Sequence, residues 1–282
     1  MRTPDFNALR AHFDWAIKED IGDGDHSALS CLDPSMRGSA QLIAKENGVI
    51  AGIALAEWLF TYLDPSAKLV AHLKDGDRIQ RGDLILEIEA NSIKLLQAER
   101  LVLNFMQRLS GIATKTAEYQ SLIAHTGCTV LDTRKTTPGL RVLEKWAVAL
   151  GGGTNHRMGL YDMVMLKDNH IDFVGGIAPA VAQVKSYLAA KDKPLEIEVE
   201  TRNMAEVAEA LEAGVDRIML DNFTVEDTAK AVAFIDGRCA TESSGGITLD
   251  SIVPYAECGV NYISIGALTH HIKSLDLSLK AV

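Results

Sequence analysis

The chain has 282 residues, 47% of them hydrophobic and 23% charged, enough to bury one large core or two smaller ones. A formal charge of −10 and a pI near 5.3 exclude a non-specific nucleic-acid binder or a coat for acidic membranes. Cys31, Cys128, Cys239 and Cys258 stand far apart with no CxxC or Cys/His spacing, so neither a disulfide framework nor a structural zinc site is expected, and the reduced thiols point to the cytoplasm.

Met1–Asp20 carries Asp5, Asp14, Glu19 and Asp20 and no apolar run, so no secretory leader is expected. Within it, Phe6, Leu9, Phe13 and Ile17 fall at three- and four-residue steps, which predicts an amphipathic helix over 5–20. IGDGDHS follows, a turn and cap; the later ligands of a calcium loop are missing. Residues 39–90 read as β-rich with an inserted helix. Their longest apolar stretch, Val49–Phe60, is interrupted by Glu57 and too short to span a bilayer. KDGDRIQRGDLILEIEA resembles the hairpins of biotinyl and lipoyl carrier domains, but Lys94 is displaced towards the helix that follows, so a shared turn pattern is expected rather than a carrier lysine. Residues 92–125 read as helical, with a break near Ser110-Gly111.

From about residue 111 the pattern alternates between β and α. The predicted strands are 129–132, 163–167, 195–200, 217–221, 240–244 and 262–266, with helices at 177–190, 204–213 and 224–235. Successive strand ends lie 21 to 35 residues apart, the spacing of βα units. Residues 111–282 fall short of the ~250 typical of an eight-stranded barrel, so an incomplete α/β barrel of six or seven strands is expected. The domains are then 1–110, an α/β open sandwich, and 111–282, the barrel.

Barrel chemistry collects where strands end. Those ends carry Asp132-Thr133-Arg134-Lys135, Lys167-Asp168-Asn169-His170, Glu198-Val199-Glu200, Asp221-Asn222, Ser244-Gly245-Gly246 and Ile265-Gly266-Ala267. The last two are glycine turns, each expected to precede a helix and to let an anion approach backbone N–H groups. From 133 to 167 six cations face two acids, a local excess of four in an acidic chain. Gly151–Gly153, before Asn155, His156 and Arg157, suggest a loop where backbone comes close to a ligand. Arg141 and Lys145 read as solvated helix cations; Arg134, Lys135, His156, Arg157 and Lys167 read as ligands for a molecule bearing carboxylate and phosphate. Glu200 and Asp221, ending adjacent strands, suit ribose hydroxyls or a phosphate-bridged Mg²⁺, or simply pair with the nearby cations. The residues alone leave other readings open. One is a phosphosugar aldolase using Lys135 or Lys167 as Schiff base; another is a carrier module on 75–94.

TRKTTPGLRVLEKWAVALGGGTNHRMGLYDMVMLKDNHI (133–171) closely resembles the signature of the quinolinate phosphoribosyltransferases, also called carboxylating nicotinate-nucleotide pyrophosphorylases. The likeness extends to EDIGDGDHS, AERLVLNFMQRLSGIAT (98–114), EIEVE (196–200), IMLDN (218–222), ESSGGI (242–247) and ISIGALTH (263–270); Trp146 and Ser243 are the small departures, where tyrosine and alanine are usual. The resemblance implies an N-terminal open sandwich, a shortened barrel, and a C-terminal segment that returns to the first domain. It implies transfer of phosphoribosyl from phosphoribosyl pyrophosphate to quinolinate, with decarboxylation, in NAD synthesis. It also implies a homodimer in which Arg100 reaches the partner's site, and Mg²⁺ held mainly by the substrate's pyrophosphate near Glu200 and Asp221, with no direct protein ligand. On this likeness Arg100, Arg134, His156, Arg157 and Lys167 hold the carboxylates. Lys135, Ser244, Gly245, Gly246, Ile265, Gly266 and Ala267 hold phosphates, Glu200 and Asp221 the ribose, and Thr133 is a further substrate-binding residue. Lys135, Lys167, Glu200 and Asp221 are the expected catalytic groups.

Overall fold

The computed structural model describes residues 3–282 and divides into two compact units. The first takes in the chain up to Ala117, Thr137–Gly152 and His271–Val282; the second takes in Glu118–Thr136 and Gly153–His270.

In the first unit the predicted N-terminal helix is present, as a 3₁₀ turn at Phe6–Leu9 running into Arg10–Ile21. Its apolar face anchors an aromatic cluster: Phe13 lies 5.1 Å from Trp58 and 5.6 Å from Phe105 between ring centres, and Phe6 meets Trp146 edge-on. IGDGDHS is the expected turn, in which Asp25 caps Ala28 at the start of helix His26–Cys31. Then come β1 (Arg37–Ala44), β2 (Gly48–Val49), helix Ile53–Leu63, β3 (Lys68–Ala71), β4 (Arg78–Ile79) and β5 (Leu84–Asn91). Helix Ser92–Leu122 follows without interruption and contains Lys94.

The break expected at Ser110-Gly111 is therefore absent, and packing explains the pair. The Ser110 hydroxyl bonds the backbone of Ala51, and a side chain at 111 would strike the carbonyl of Lys273. Lys145, read as solvated, is instead 1% exposed, on the buried side of helix Arg141–Leu150 beside Trp146. In the same helix the buried Glu144 receives Arg108 at 2.7 Å and accepts the Thr137 N–H.

The second unit is built on six parallel strands: β6 (Thr129–Leu131), β7 (Val164–Leu166), β8 (Ile197–Thr201), β9 (Arg217–Asp221), β10 (Ala240–Ser244) and β11 (Tyr262–Ser264). Their order is β6-β11-β10-β9-β8-β7. The first strand pairs with the last, and the sheet stays open between β6 and β7, so this is an incomplete barrel of six strands. Helices Ile177–Ala190, Met204–Glu212 and Val225–Ile235 lie where they were predicted, the last two started by the side chains of Asn203 and Thr224. Beyond His270 the chain adds β12 (Leu277–Ala281), antiparallel to β1, to complete the first unit's sheet β12-β1-β5-β3. Among the described residues no helix is long and apolar enough to cross a membrane.

Candidate active site

Alternation along the barrel strands selects what faces inwards. Met165 and Lys167, Glu200, Met219 and Asp221, Glu242 and Ser244, and Ser264 sit at every second position and line one cavity of about 780 Å³. The loops after the strands add Thr133, Arg134, Lys135, His156, Arg157, Gly245, Gly246, Ile265, Gly266 and Ala267. Thus all the expected ligand residues of the second unit are gathered at one mouth. Arg100 is outside the lining; it projects from helix Ser92–Leu122, largely exposed, 3.2 Å from Glu99. Glu198 is outside it too, buried beneath.

Asp132 builds the cationic side. It is buried at the end of β6 and accepts the His156 N–H at 2.9 Å and the Asn155 amide at 2.6 Å. Thr154 bridges Leu131 in parallel, so residues 154–156 run alongside β6 and deliver His156 and Arg157 to the mouth. Arg157 donates to the Met163 carbonyl at 3.2 Å. Burial first, then the charge of Arg134, lowers Arg157 below the ordinary guanidinium range, the signature of two like charges held near each other.

The glycines of this loop do not serve a ligand as expected. None of Gly151–Gly153 lines the cavity, and a side chain at 151 would collide with the Ala113 carbonyl and Thr116. The use of Gly151 is close packing on helix Ser92–Leu122.

The acidic side comes from the ends of β8 and β9. Glu200 Oε2 lies 2.7 Å from Lys167 Nζ, so Glu200 does pair with a cation. Asp221 accepts from the side chain of Asn222 at 2.8 Å. Burial, then the charge of Glu200, pushes Asp221 above the usual carboxylate range. An acid raised by its neighbour's charge favours an added cation or hydroxyl donors beside it, which fits hydrated Mg²⁺ and ribose.

The glycine turns close the cup. Gly245 has φ +103°, and a side chain there would strike Asn222, itself left-handed at φ 56° and bonded through its N–H to the Ser244 carbonyl. The helix expected after Ser244-Gly245-Gly246 starts only at Ile252; the one after Gly266 starts at once, at Ala267. At Gly266 an added side chain would come within 3.0 Å of the Lys135 stem. Lys135 therefore lies across the last turn, and its carbonyl accepts the Thr269 hydroxyl at 2.8 Å. Sequence reasoning passed over Met165, Met219 and His270, which also line the cavity. The two methionines were within reach, each two residues before a chosen strand-end residue; His270, on a four-residue helix, carried no signal.

Two family models cover almost the whole chain. The C-terminal domain of quinolinate phosphoribosyl transferase matches residues 112–280 and the N-terminal domain matches 25–110. A tobacco protein, quinolinate phosphoribosyltransferase [decarboxylating] 2a, is 46% identical over 96% of this chain and 82% of its own length. A probable nicotinate-nucleotide pyrophosphorylase [carboxylating] from Bacillus subtilis is 44% identical over 93% of this chain and 89% of its own. The crystal structure of NadC from Streptococcus pyogenes superposes with a TM-score of 0.95 at 42% identity, covering 99% of this chain and 98% of that one.

Proposed function

The chain belongs to the quinolinate phosphoribosyltransferase family, and from that premise we infer the chemistry of the mouth. The enzyme transfers phosphoribosyl from phosphoribosyl pyrophosphate to quinolinate and removes CO₂, giving nicotinate mononucleotide and pyrophosphate for NAD synthesis. The observation that carries the assignment to this site is the pairing of Arg134 with Arg157 across from Glu200 and Asp221, with two glycine turns on the rim.

Arg134, Arg157 and Lys167, joined by Arg100 from the partner of a homodimer, hold the two carboxylates, with His156 at their foot. Arginine's planar fork suits a carboxylate; lysine's point charge suits phosphate. Lys135 holds phosphate together with Thr133 and the turns Ser244–Gly246 and Ile265–Ala267. Glu200 and Asp221 hold the ribose hydroxyls and would stand near a Mg²⁺ ion held mainly by the substrate's pyrophosphate. Mg²⁺ bound to the pyrophosphate would neutralise charge on the leaving group. The ring nitrogen attacks the sugar carbon as pyrophosphate departs. Positive charge builds on the ribose beside Glu200 and Asp221, while Lys135 and the turns stabilise the departing oxygens. The alkylated ring nitrogen is then cationic. The carboxylate on the adjacent carbon leaves as CO₂, its electron pair stays on that carbon beside the positive nitrogen, and a proton from solvent completes the product. Lys167, freed from Glu200 by substrate, is placed to hold a carboxylate through both steps. A cytoplasmic location is in keeping with four free cysteines.

The test is direct. Purified protein with quinolinate, phosphoribosyl pyrophosphate and Mg²⁺ should form nicotinate mononucleotide and CO₂ in equal amounts, and no borohydride adduct with Lys135 or Lys167. CO₂ release without phosphoribosyl pyrophosphate, or a trapped lysine adduct, would contradict the mechanism.

A further inference from the structure

Beneath the mouth the barrel interior carries a charged layer that the mechanism above does not use. Glu198 on β8 and Glu242 on β10 are fully buried, and Arg217 extends from β9 between them. Arg217 Nη1 lies 3.1 Å from Glu242 Oε2, and its guanidinium stacks over the Tyr262 ring. His156, its side chain 4% exposed, reaches into this layer from the segment beside β6. Its Nε2 is 3.1 Å from Glu198 Oε2 and 3.5 Å from Glu242 Oε2.

The other ring nitrogen fixes the chemistry. His156 Nδ1 accepts the backbone N–H of Arg157 at 2.7 Å. A nitrogen facing an amide proton at that distance has no room for a proton of its own. The ring proton therefore sits on Nε2, the nitrogen that lies nearest the two acids. The three donors lie within 4.8 Å of one another, the spacing of a metal site. Yet a metal on Nε2 would require the ring proton on Nδ1, where the amide already points. The tautomer selects a proton-bridged cluster over an ion.

Charge balance agrees. With a neutral imidazole and one guanidinium, two ionised carboxylates would leave a buried net negative charge; one proton shared by the acids makes the cluster neutral. Burial pushes Glu198 up to about 7, and burial followed by the charge of Glu198 pushes Glu242 up to about 7. Arg157 and Lys167 act on Glu198, Arg217 acts on both acids from β9, and His156 and the Ser264 hydroxyl act on Glu242.

We propose that His156 is a positioning residue, a neutral imidazole wedged between the Glu198–Glu242 pair and the amide of Arg157, which sets where Arg157 projects and donates nothing to the substrate. Glu198 and Glu242 act through it, as the support of a metal-ligating histidine does elsewhere. The kinetic consequence rests on the transferase reading; the protonation state does not.

Long-range ¹H–¹⁵N spectra of the full chain labelled at histidine, with His156→Asn used for assignment, test the proton directly. The expected result is a singly protonated ring with its proton on Nε2 from about pH 6 to about pH 8, unchanged by saturating quinolinate or by Zn²⁺. A doubly protonated ring, a proton on Nδ1, a change of state on adding quinolinate, or stoichiometric capture of Zn²⁺ would each overturn the proposal. In Glu198→Gln and Glu242→Gln that retain native circular dichroism, KM for quinolinate should rise about tenfold while KM for phosphoribosyl pyrophosphate moves little. Equal effects on both substrates would show a merely structural role and count against it. If neither variant folds, the spectra of the native protein still decide.

Discussion

Arg134 and Arg157 hold like charges in one mouth, an arrangement that costs energy until an anion arrives. A charge-assisted hydrogen bond contributes about 1.5–3 kcal/mol. Arg134→Ala and Arg157→Ala should therefore each lower kcat/KM for quinolinate by roughly tenfold to a few hundredfold, with thermal stability little changed. Unchanged kinetics in both variants would remove these residues from the site. The acids beneath behave differently. Burial raises the coupled pair Glu198 and Glu242 from 4.5 to about 7, so the native state binds their shared proton more tightly than the unfolded chain does. Their contribution is fully present below about pH 4.5 and is lost as pH rises towards about 7. The melting temperature of the native protein should fall over that window more steeply than that of Glu242→Gln; parallel slopes would show that burial does not hold the pair protonated. Ser243 gives the reverse case. Its hydroxyl is buried without a hydrogen-bond partner. Ser243→Ala, the residue usual in the resembling family, should leave stability unchanged or raise it by about 1 kcal/mol, as a denaturation midpoint would show.

At the scale of elements, a helix start shows how distant residues complete one another. Helix Ile53–Leu63 begins after Gly52, which has no side chain to cap it. Asp75, from the turn of the carrier-like hairpin, supplies the cap: one oxygen accepts Gly52 and Ile53 N–H at 2.6 and 2.9 Å, the other Ala54 N–H at 3.0 Å. Asp75→Ala should cost about 2–3 kcal/mol in chemical denaturation, since three half-buried donors lose their acceptor; a loss below about 0.5 kcal/mol would mean water replaces it. The barrel was legible because its strands are short, apolar and evenly spaced, so 217–221 and 240–244 were read to the residue. The strand ends then placed Glu200 and Asp221 on adjacent strands at the mouth. What stayed hidden depends on contacts between segments far apart in the chain. Ser110-Gly111 looks like a helix breaker until Ala51 and Lys273 are beside it, and Gly151 looks like a ligand loop until it meets Ala113. Nothing in the local sequence marks Glu198 as a buried partner of His156.

For the whole molecule, the barrel gathers cations, acids and glycine turns spread over residues 133–267 into one cavity. Arg100 is the exception, outside that cavity and largely exposed. If it completes a partner's site, Arg100→Ala and Arg134→Ala should each fall at least about tenfold in activity alone. Mixed and allowed to exchange subunits, they should recover about a quarter of native activity, because half the dimers then carry one intact site of two. Absence of any recovery would confine Arg100 to its own surface. The central claim is that dicarboxylate and phosphate share this one cup. A crystal structure with nicotinate mononucleotide bound tests it most directly. Its carboxylate should lie on Arg134, Arg157 or Lys167 and its phosphate on Lys135 and the turns at Gly245–Gly246 and Gly266. A product bound with either group outside this cavity would contradict the account.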